Sequence, residues 1–226
     1  MTTGAAKRRE RNYRQYCGLA AALDAVGERW TLLIVRECML GPRRYNELLT
    51  DLPGIGTNLL ADRLKKLCTL GVLRHRGSAE RGYVYELTEA GESLREPVKG
   101  LARWGMALVD EVPEDAVVRP HWGFLAIESM ADATRCPNVR EEYEFRVDDE
   151  VFHLLVDHGT TTAARGAARG PALVATTDAA TFVRIGSGTC TPFDAVGEGK
   201  LALSGDPEAV LRCSTVLGLG AVGAPD

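Results

Sequence analysis

One segment of the chain, TNLLADRLKKLCT, combines side chains that can hydrogen-bond to nucleobases with an apolar stripe. Leu60, Leu64 and Leu67 recur at i, i+4 and i+7, which is the spacing of one buried helix face. The opposite face carries mostly polar side chains, namely Thr57, Asn58, Ala61, Asp62, Lys65 and Lys66. Asparagine can pair with adenine through two hydrogen bonds, and a Thr or Ala methyl group can contact thymine. The pattern therefore predicts a helix whose outer face can read bases.

Two residues of this segment allow more than one role. The Asp62 carboxylate would be repelled by phosphates, yet it can accept a hydrogen bond from a cytosine amine or pair with Lys65 or Lys66 one turn along. Arg63 flanks the apolar stripe, so it can brace the fold or reach a phosphate. The sequence leaves both alternatives open.

Cations surround the same segment. Affinity for DNA comes mainly from Lys and Arg side chains that neutralise phosphates. The candidate phosphate contacts, with His75 beside them, are Arg43, Arg44, Lys65, Lys66, Arg74, Arg76 and Arg81. Residues 1–112 carry a net charge of +4 and residues 113–226 a net charge of −8, within a total of −4. Such asymmetry is typical of a nucleic-acid-binding half joined to a non-binding half.

The elements that would position these side chains follow a definite order. Apolar periodicity predicts helices over 13–26 and 29–40 and a short helix in RRYNELLTDL, before the segment from Thr57 to Leu70. VLRHRGSAERGYVYELT predicts a β-hairpin. Thr88 is then a candidate N-cap of a long helix reaching about residue 112, kinked or reset at Pro97. In this order the helix before the hairpin can lie in a major groove while the hairpin touches the flanking backbone.

Four motifs of this half resemble the HxlR-type winged helix-turn-helix regulators, which are relatives of the MarR type. In chain order they are YCGLAAALDAVGERWTLLIVRE, GPRRYNEL, LPGIGTNLLADRLKKLCTLGVL and YELTEAG. The resemblance covers roughly residues 13–110. It implies a homodimer that binds double-stranded operator DNA with an inverted repeat and represses or activates nearby genes. The chain departs from the family pattern at Gly18, where a Pro often follows the N-terminal Cys, and in the shorter hairpin stretch GSAERGYVYEL.

The last helix of this half carries an apolar series that can pack on its own domain or on a second copy. Reading a pseudo-palindrome needs two copies, so we expect the second arrangement. The expected dimer interface consists of Tyr16, Leu19, Leu94, Val98, Leu101, Trp104 and Leu108.

The C-terminal half begins after the Pro-containing, acidic stretch EVPEDAVVRP. Several segments of this half resemble the sterol carrier protein type of α/β domain. They are the strand-like EYEFRV, VFHLLVDHG and ALVATTDAATFVRIGSG, followed by GKLALSGDPEAVLRC. Asp178 and Asp206 are candidate helix N-caps in these segments. Residues 159–170 are expected to form a loop. The resemblance implies an apolar tunnel for a hydrophobic small-molecule effector, lined by Trp122, Phe124, Ile127, Phe145, Phe152, Leu154, Phe182 and Leu217. The same residues can equally fill a solid core.

The chain is therefore expected to be an α+β protein. A winged helix-turn-helix domain occupies residues 1–112, and a sterol-carrier-like domain occupies residues 113–226. Neither a secretory signal nor an apolar run of membrane-spanning length is present, so we expect a cytoplasmic protein without a membrane partner.

Motifs for catalysis and for metal binding are missing from the sequence. The six cysteines form no CxxC pair, and there is no phosphate loop, nucleophile elbow or HExxH motif. We therefore expect no enzyme activity, no cofactor and no metal. Cys17 is either a buried structural thiol or a redox sensor whose pKa the nearby Arg14 lowers.

Three hypotheses follow. The first is a regulator, a repressor in its simplest form, that responds to a hydrophobic small molecule through its C-terminal domain. The second is a regulator that senses oxidants or electrophiles through Cys17. The third is a lipid-binding carrier whose winged helix serves only protein contacts.

Overall fold

The computed structural model describes residues 12–78, 82–109, 113 and 116–219. The chain divides into two compact units, residues 1–95 and 96–226. The division falls at the start of the sixth helix and not near residue 112. The boundary between independently folding domains at 112 and 113 stays a prediction. No helix within the described residues is both long enough and apolar enough to cross a membrane.

Four helices open the first unit: α1 (Gly18–Val26), α2 (Thr31–Met39), α3 (Tyr45–Asp51) and α4 (Thr57–Thr69). The prediction for α1 was wrong at its start, because the helix begins at Gly18 and not near residue 13. Arg14 has a positive φ of 51°, and the Tyr13 backbone N–H donates to the Asp24 carboxylate at 3.1 Å. The residues before Gly18 therefore fold back along the helix, and Tyr16 lies outside it.

The predicted apolar stripe of α4 is confirmed. Leu60, Leu64 and Leu67 are at most 1% exposed, and they join Ile34 of α2 and Leu48 of α3 in the core of the first unit. Burying one leucine side chain contributes about 1.5–3 kcal/mol. One face of α4 is therefore anchored, and the other face is left outside.

The predicted hairpin is also confirmed, as β1 (Leu73–Ser78) and β2 (Gly82–Leu87). The two strands are antiparallel, with Leu73 opposite Leu87 and His75 opposite Tyr85. Arg43 and Tyr85 exchange backbone hydrogen bonds of 2.9 and 2.8 Å. This bridge fixes the hairpin to the chain segment that leads into α3, which completes a winged helix-turn-helix fold.

The long helix predicted after Thr88 is interrupted. Thr88 caps as expected, since its Oγ1 accepts the Gly91 N–H at 3.1 Å. The helix then divides into α5 (Glu89–Glu92) and α6 (Arg95–Met106), so it neither runs unbroken nor reaches residue 112. Pro97 lies in the first turn of α6, where its missing N–H removes no intrahelical hydrogen bond.

The second unit pairs a mixed sheet with helices. Its strands are β3 (Arg140–Val147), β4 (Glu150–Asp157), β5 (Thr160–Arg165), β6 (Leu173–Thr177) and β7 (Leu201–Gly205). Its helices after α6 are α7 (Trp122–Met130), α8 (Ala179–Gly186), α9 (Pro192–Gly197) and α10 (Pro207–Val216), with a 3-10 turn at Ala133–Arg135. The sheet order is β5-β4-β3-β6-β7; β3 and β6 are parallel, and the other neighbours are antiparallel. The loop expected over residues 159–170 was wrong for β5, because Thr160–Arg165 pairs with β4 and its three threonines favour a strand.

Helix N-caps and the ion pairs of one arginine position helices of this unit. Asp178 accepts the Thr181 N–H at 2.8 Å and Asp206 accepts the Glu208 N–H at 3.0 Å, so both predicted N-caps are confirmed. Arg212 of α10 donates two hydrogen bonds, of 2.6 and 3.1 Å, to the Glu141 carboxylate. Helix α10 is thereby held against β3.

Candidate nucleic-acid interface

The outer face of α4 is open to solvent. Thr57, Asn58, Ala61, Asp62 and Lys65 are all exposed. Thr57, Ala61 and Lys65 follow one another at intervals of about one turn, as do Asn58 and Asp62, so the five residues form one continuous surface opposite the buried leucines. The structure places these residues together as the sequence predicts.

A tyrosine that the sequence analysis missed holds the start of this helix. The Tyr45 hydroxyl donates to the Thr57 carbonyl oxygen at 2.7 Å. Gly54, in the turn before α4, has a φ of 90°, a conformation that suits glycine. A half-buried tyrosine opening a short helix gives too weak a signal to reveal a partner twelve residues away.

Two predicted phosphate contacts face the protein itself. Arg63 pairs with Glu28 at 2.7 Å and donates to the Arg29 carbonyl oxygen at 3.4 Å. Lys66 donates to the Asp24 carbonyl oxygen at 3.0 Å and lies 3.6 Å from the Glu28 carboxylate. Both cations therefore brace α4 against the end of α1 and the turn that follows it, which is the bracing role left open for Arg63; a phosphate contact from either stays a prediction.

Arg44 and Lys65 are two described cations that remain available. Both are exposed, and neither forms an ion pair with any residue the structure describes. Arg43 is different, because its Nε donates to the Glu37 carbonyl oxygen at 3.3 Å and is thus held at the end of α2. Asp62 has no ion pair with Lys65 or Lys66 among the described residues, so of its alternatives the cytosine contact stays a prediction.

The hairpin cations are held by a carboxylate. Arg74 and Arg76 lie 2.6 and 3.1 Å from opposite oxygens of Glu86, a residue only 8% exposed. Both arginines therefore share an internal partner, and their contact with phosphate stays a prediction. Arg81, the remaining predicted contact, lies outside the described residues.

The predicted dimer residues are mostly exposed apolar side chains. Leu19 of α1 and Leu101, Trp104 and Leu108 in or just after α6 are each at least half exposed. Tyr16 is fully exposed, while Leu94 and Val98 are half-buried. Every described side chain of α6 is at least partly accessible, so this helix offers an apolar face that its own unit does not cover.

The second unit contains an apolar cavity of about 70 Å³. Four of the predicted residues line it, namely Ile127, Phe145, Phe182 and Leu217. The other four, Trp122, Phe124, Phe152 and Leu154, do not. Phe152 and Leu154 fill the core instead: Phe152 is 1% exposed and stacks on Phe145 with 5.7 Å between ring centroids. Smaller residues that the sequence analysis passed over, such as Ala175 and Gly186, complete the lining.

Cys17 is exposed at the N-terminus of α1, so it is not a buried structural thiol. The backbone N–H groups of Ala20 and Leu19 stabilise the thiolate and lower the pKa of Cys17. The predicted cause, Arg14, is not the source of this shift. Burial has the opposite effect on Cys38, whose pKa it raises to about 12.

Comparison with known proteins places these features in context. The HxlR-like helix-turn-helix family matches residues 25–113. The uncharacterized HTH-type transcriptional regulator MT3179 of Mycobacterium tuberculosis (strain CDC 1551 / Oshkosh) is 44% identical over 87 residues, which cover 37% of this chain and 54% of that protein. The HTH-type transcriptional regulator YodB of Bacillus subtilis (strain 168) is 31% identical over 88 residues, covering 38% and 79%. The solved reduced form of YodB aligns with a TM-score of 0.38 at 27% identity, covering 42% of this chain and 97% of that chain. The chain thus spans about half the length of the mycobacterial relative it matches.

Lys65 and Lys66 should differ in how they affect DNA binding. Lys65→Ala should reduce the slope of log K against log salt by about 0.9, because one phosphate contact is lost. Lys66→Ala should leave that slope unchanged and lower the thermal midpoint instead, because it removes the brace to Glu28. Fluorescence anisotropy with duplex DNA from upstream of the gene, over about 50–200 mM salt, measures the slopes. Equal slopes for the two variants would contradict the roles assigned here.

Proposed function

Because the chain belongs to the HxlR-like family of helix-turn-helix transcriptional regulators, we propose that it works as a homodimeric repressor whose α4 enters the major groove of its operator. The observation that carries this proposal is the open outer face of α4, opposite a fully buried leucine stripe. A major groove about 12 Å wide accepts one helix, and the side chains on its outer face meet base edges. The proposal assigns the chain no catalytic activity, metal or cofactor.

Asn58 is the residue best suited to read a base. It lies in the first turn of α4, it is exposed, and its amide can bond to both adenine N6 and N7. Thr57 and Ala61 beside it offer methyl groups to thymine. Tyr45 supports this end of the helix through the Thr57 carbonyl oxygen.

Asn58→Ala should weaken binding to the operator by about 1–3 kcal/mol and leave binding to unrelated duplexes almost unchanged. Gel retardation with the upstream duplex and a scrambled duplex, at two salt concentrations, measures both. Asn138→Ala, an exposed asparagine of the second unit, is the matched control. Equal loss on both duplexes would show that Asn58 does not read a base, and absence of any retardation by the native chain would favour the lipid-carrier hypothesis.

The exposed apolar faces support a homodimer. A pseudo-palindromic site needs two recognition helices about 34 Å apart, which a two-fold dimer provides. Leu101 and Trp104 of α6 are 50% and 65% exposed, and Leu19 of α1 is 69% exposed. Removing such apolar side chains from water is a main driving force for association.

Trp104→Asp should convert the dimer into a monomer of 24.4 kDa, because a carboxylate would be buried in an apolar contact. Sedimentation equilibrium measures the mass. Leu211→Asp provides the control, since Leu211 is similarly exposed at 60% but lies on α10. A Trp104→Asp protein that keeps the dimer mass would place the interface elsewhere.

We further propose that the second unit is a sterol-carrier-like domain that binds a neutral, hydrophobic effector in its cavity. The lining is apolar apart from the hydroxyls of Thr177 and Ser214 and the thiol of Cys213. A cavity of about 150 Å³ holds a benzene molecule, so a space of about 70 Å³ admits a larger ligand only if side chains move. Met130, with its flexible thioether, is suited to do so.

An apolar groove between α9 and α10 supports an entrance to this cavity. Phe193 and Leu211 line the groove and are 75% and 60% exposed. Pro192, Ser214 and Leu219 line both the groove and the cavity. A ligand can change operator affinity only if it binds the two arrangements of the dimer with different affinity.

Ala175→Leu should abolish binding of the uncharged probe N-phenyl-1-naphthylamine, because the added methyl groups fill the cavity. The change in probe fluorescence on titration measures binding. Ala202→Leu is the control: Ala202 is exposed on β7, opposite Thr176, and does not line the cavity. If both variants bind the probe as the native chain does, the cavity is not the ligand site.

The exposed position of Cys17 favours a second mode of regulation. Its lowered pKa gives a larger thiolate fraction at a given pH, and the thiolate is the form that electrophiles and oxidants attack. In this alternative, modification of Cys17 replaces ligand binding as the signal that changes operator affinity.

Iodoacetamide should alkylate Cys17 at lower pH than it alkylates Cys68. Thiolate forms as pH rises through the pKa, and that pKa is lowered for Cys17 and raised by burial for Cys68. Mass spectrometry of digests over a pH series measures both rates. Loss of operator control by oxidants in Cys17→Ser, with native DNA affinity, would support the sensor; an unchanged oxidant response would exclude it.

A further inference from the structure

The β1–β2 hairpin has two chemically different faces. Successive strand residues point to opposite sides, so Arg74 and Arg76 share one face with Glu86 opposite Arg74. His75 lies on the other face with Tyr83 and Tyr85, and its ring stacks on theirs at centroid distances of 4.5 and 4.7 Å. One face is thus ionic and the other aromatic.

The ionic face is partly neutralised from within, because one carboxylate offsets one of its two positive charges. The Glu86 carboxylate bonds to one guanidinium through each oxygen, at 2.6 and 3.1 Å. Because Glu86 is only 8% exposed, it cannot turn away into solvent without losing both partners. A phosphate that approached either arginine would have to compete with this carboxylate and would also be repelled by it.

The aromatic face continues the surface of the recognition helix. On this side of the hairpin the buried Leu73 and Leu87 are followed by half-buried Tyr85 and then by His75 and Tyr83. Burial raises the pKa of Tyr85, and Cys68 of α4 and Tyr45 of α3 lie near enough to add to the shift. Since the Tyr45 hydroxyl also bonds to the Thr57 carbonyl oxygen, Tyr45 links the start of α4 to Tyr85, the inner ring of the stack that Tyr85, His75 and Tyr83 form.

We propose that the hairpin contacts operator DNA through the stacked rings of His75 and Tyr83, and not through Arg74 and Arg76. The exposed parts of these rings would pack on the sugars of the duplex next to the bases that α4 reads. Continuity with the reading face of α4 favours duplex DNA as the occupant. Packing on sugars displaces few counterions, so this contact adds affinity that depends little on salt. The inference rests on the proposed DNA-binding function.

Removing the rings should weaken binding without changing its salt dependence. His75→Ala and Tyr83→Ala should each lower operator affinity about tenfold, on the scale of aromatic contacts to nucleic acids, with the native salt slope. His75→Phe and Tyr83→Phe keep the rings and should retain native affinity. Tyr13→Ala, which removes a tyrosine 56% exposed outside the hairpin, is the matched control and should bind as the native chain does.

Changing the charges gives the opposite signature. Arg74→Ala should reduce the salt slope by clearly less than the roughly 0.9 expected of a phosphate contact. Glu86→Gln, which is isosteric, should free both guanidiniums, steepen the slope and tighten binding to every duplex. Anisotropy titrations over a salt series measure all of these variants, and circular dichroism verifies that each is folded.

The aromatic contact and the proposed DNA-binding function would be overturned by different results. If the native chain binds its operator and the alanine variants bind equally well, the aromatic contact is overturned while the regulator function stands. The same holds if the phenylalanine variants lose affinity as the alanine variants do, or if Tyr83→Ala lowers the dimer mass in sedimentation, which would make a second copy the occupant. If the native chain binds no duplex at two salt concentrations, the proposed function itself fails.

Discussion

The burial of Leu60, Leu64 and Leu67 decides which side of α4 faces outward. Each side chain is at most 1% exposed, and each contributes about 1.5–3 kcal/mol to the stability of the first unit. The ion pair between Arg63 and Glu28 is partly exposed, and such pairs contribute at most about 1 kcal/mol. The leucines therefore set the rotation of the helix about its own axis. The surrounding cations only secure it, and the polar residues between them are presented as a consequence.

Features that depend on neighbouring residues could be predicted from the sequence. The leucine spacing, the hairpin, and the caps at Thr88, Asp178 and Asp206 each involve residues a few positions apart, so their patterns are visible in one dimension. The ion-pair partners of the lysines and arginines could not be predicted in this way. Glu28 is far from Arg63 in the chain, and the fold alone brings them within 2.7 Å. A count of positive charges therefore overstates how many of them can meet a phosphate.

The second unit shows the same limit for apolar residues. Large side chains were expected to surround a ligand, but Phe152 and Leu154 are buried in the core and do not line the cavity. The cavity lies where small residues such as Ala175 and Gly186 fail to fill the volume between sheet and helices. Volume deficits arise from the difference between facing elements. A residue's own hydrophobicity does not report them, so only the three-dimensional arrangement reveals where a guest molecule would fit.

Glu86 also bears on how a regulator searches a chromosome. A bacterial genome presents at least about a million competing non-specific sites, and attraction to them is supplied by unpaired cations. A carboxylate that pairs with two guanidiniums, at 2.6 and 3.1 Å, cancels part of that attraction. Fewer molecules would then be sequestered on random sequence at any moment. The ion cluster of Glu86 with its two arginines would in this way favour rapid dissociation from non-specific DNA sites. Sequence discrimination would then depend on the few side chains that contact bases.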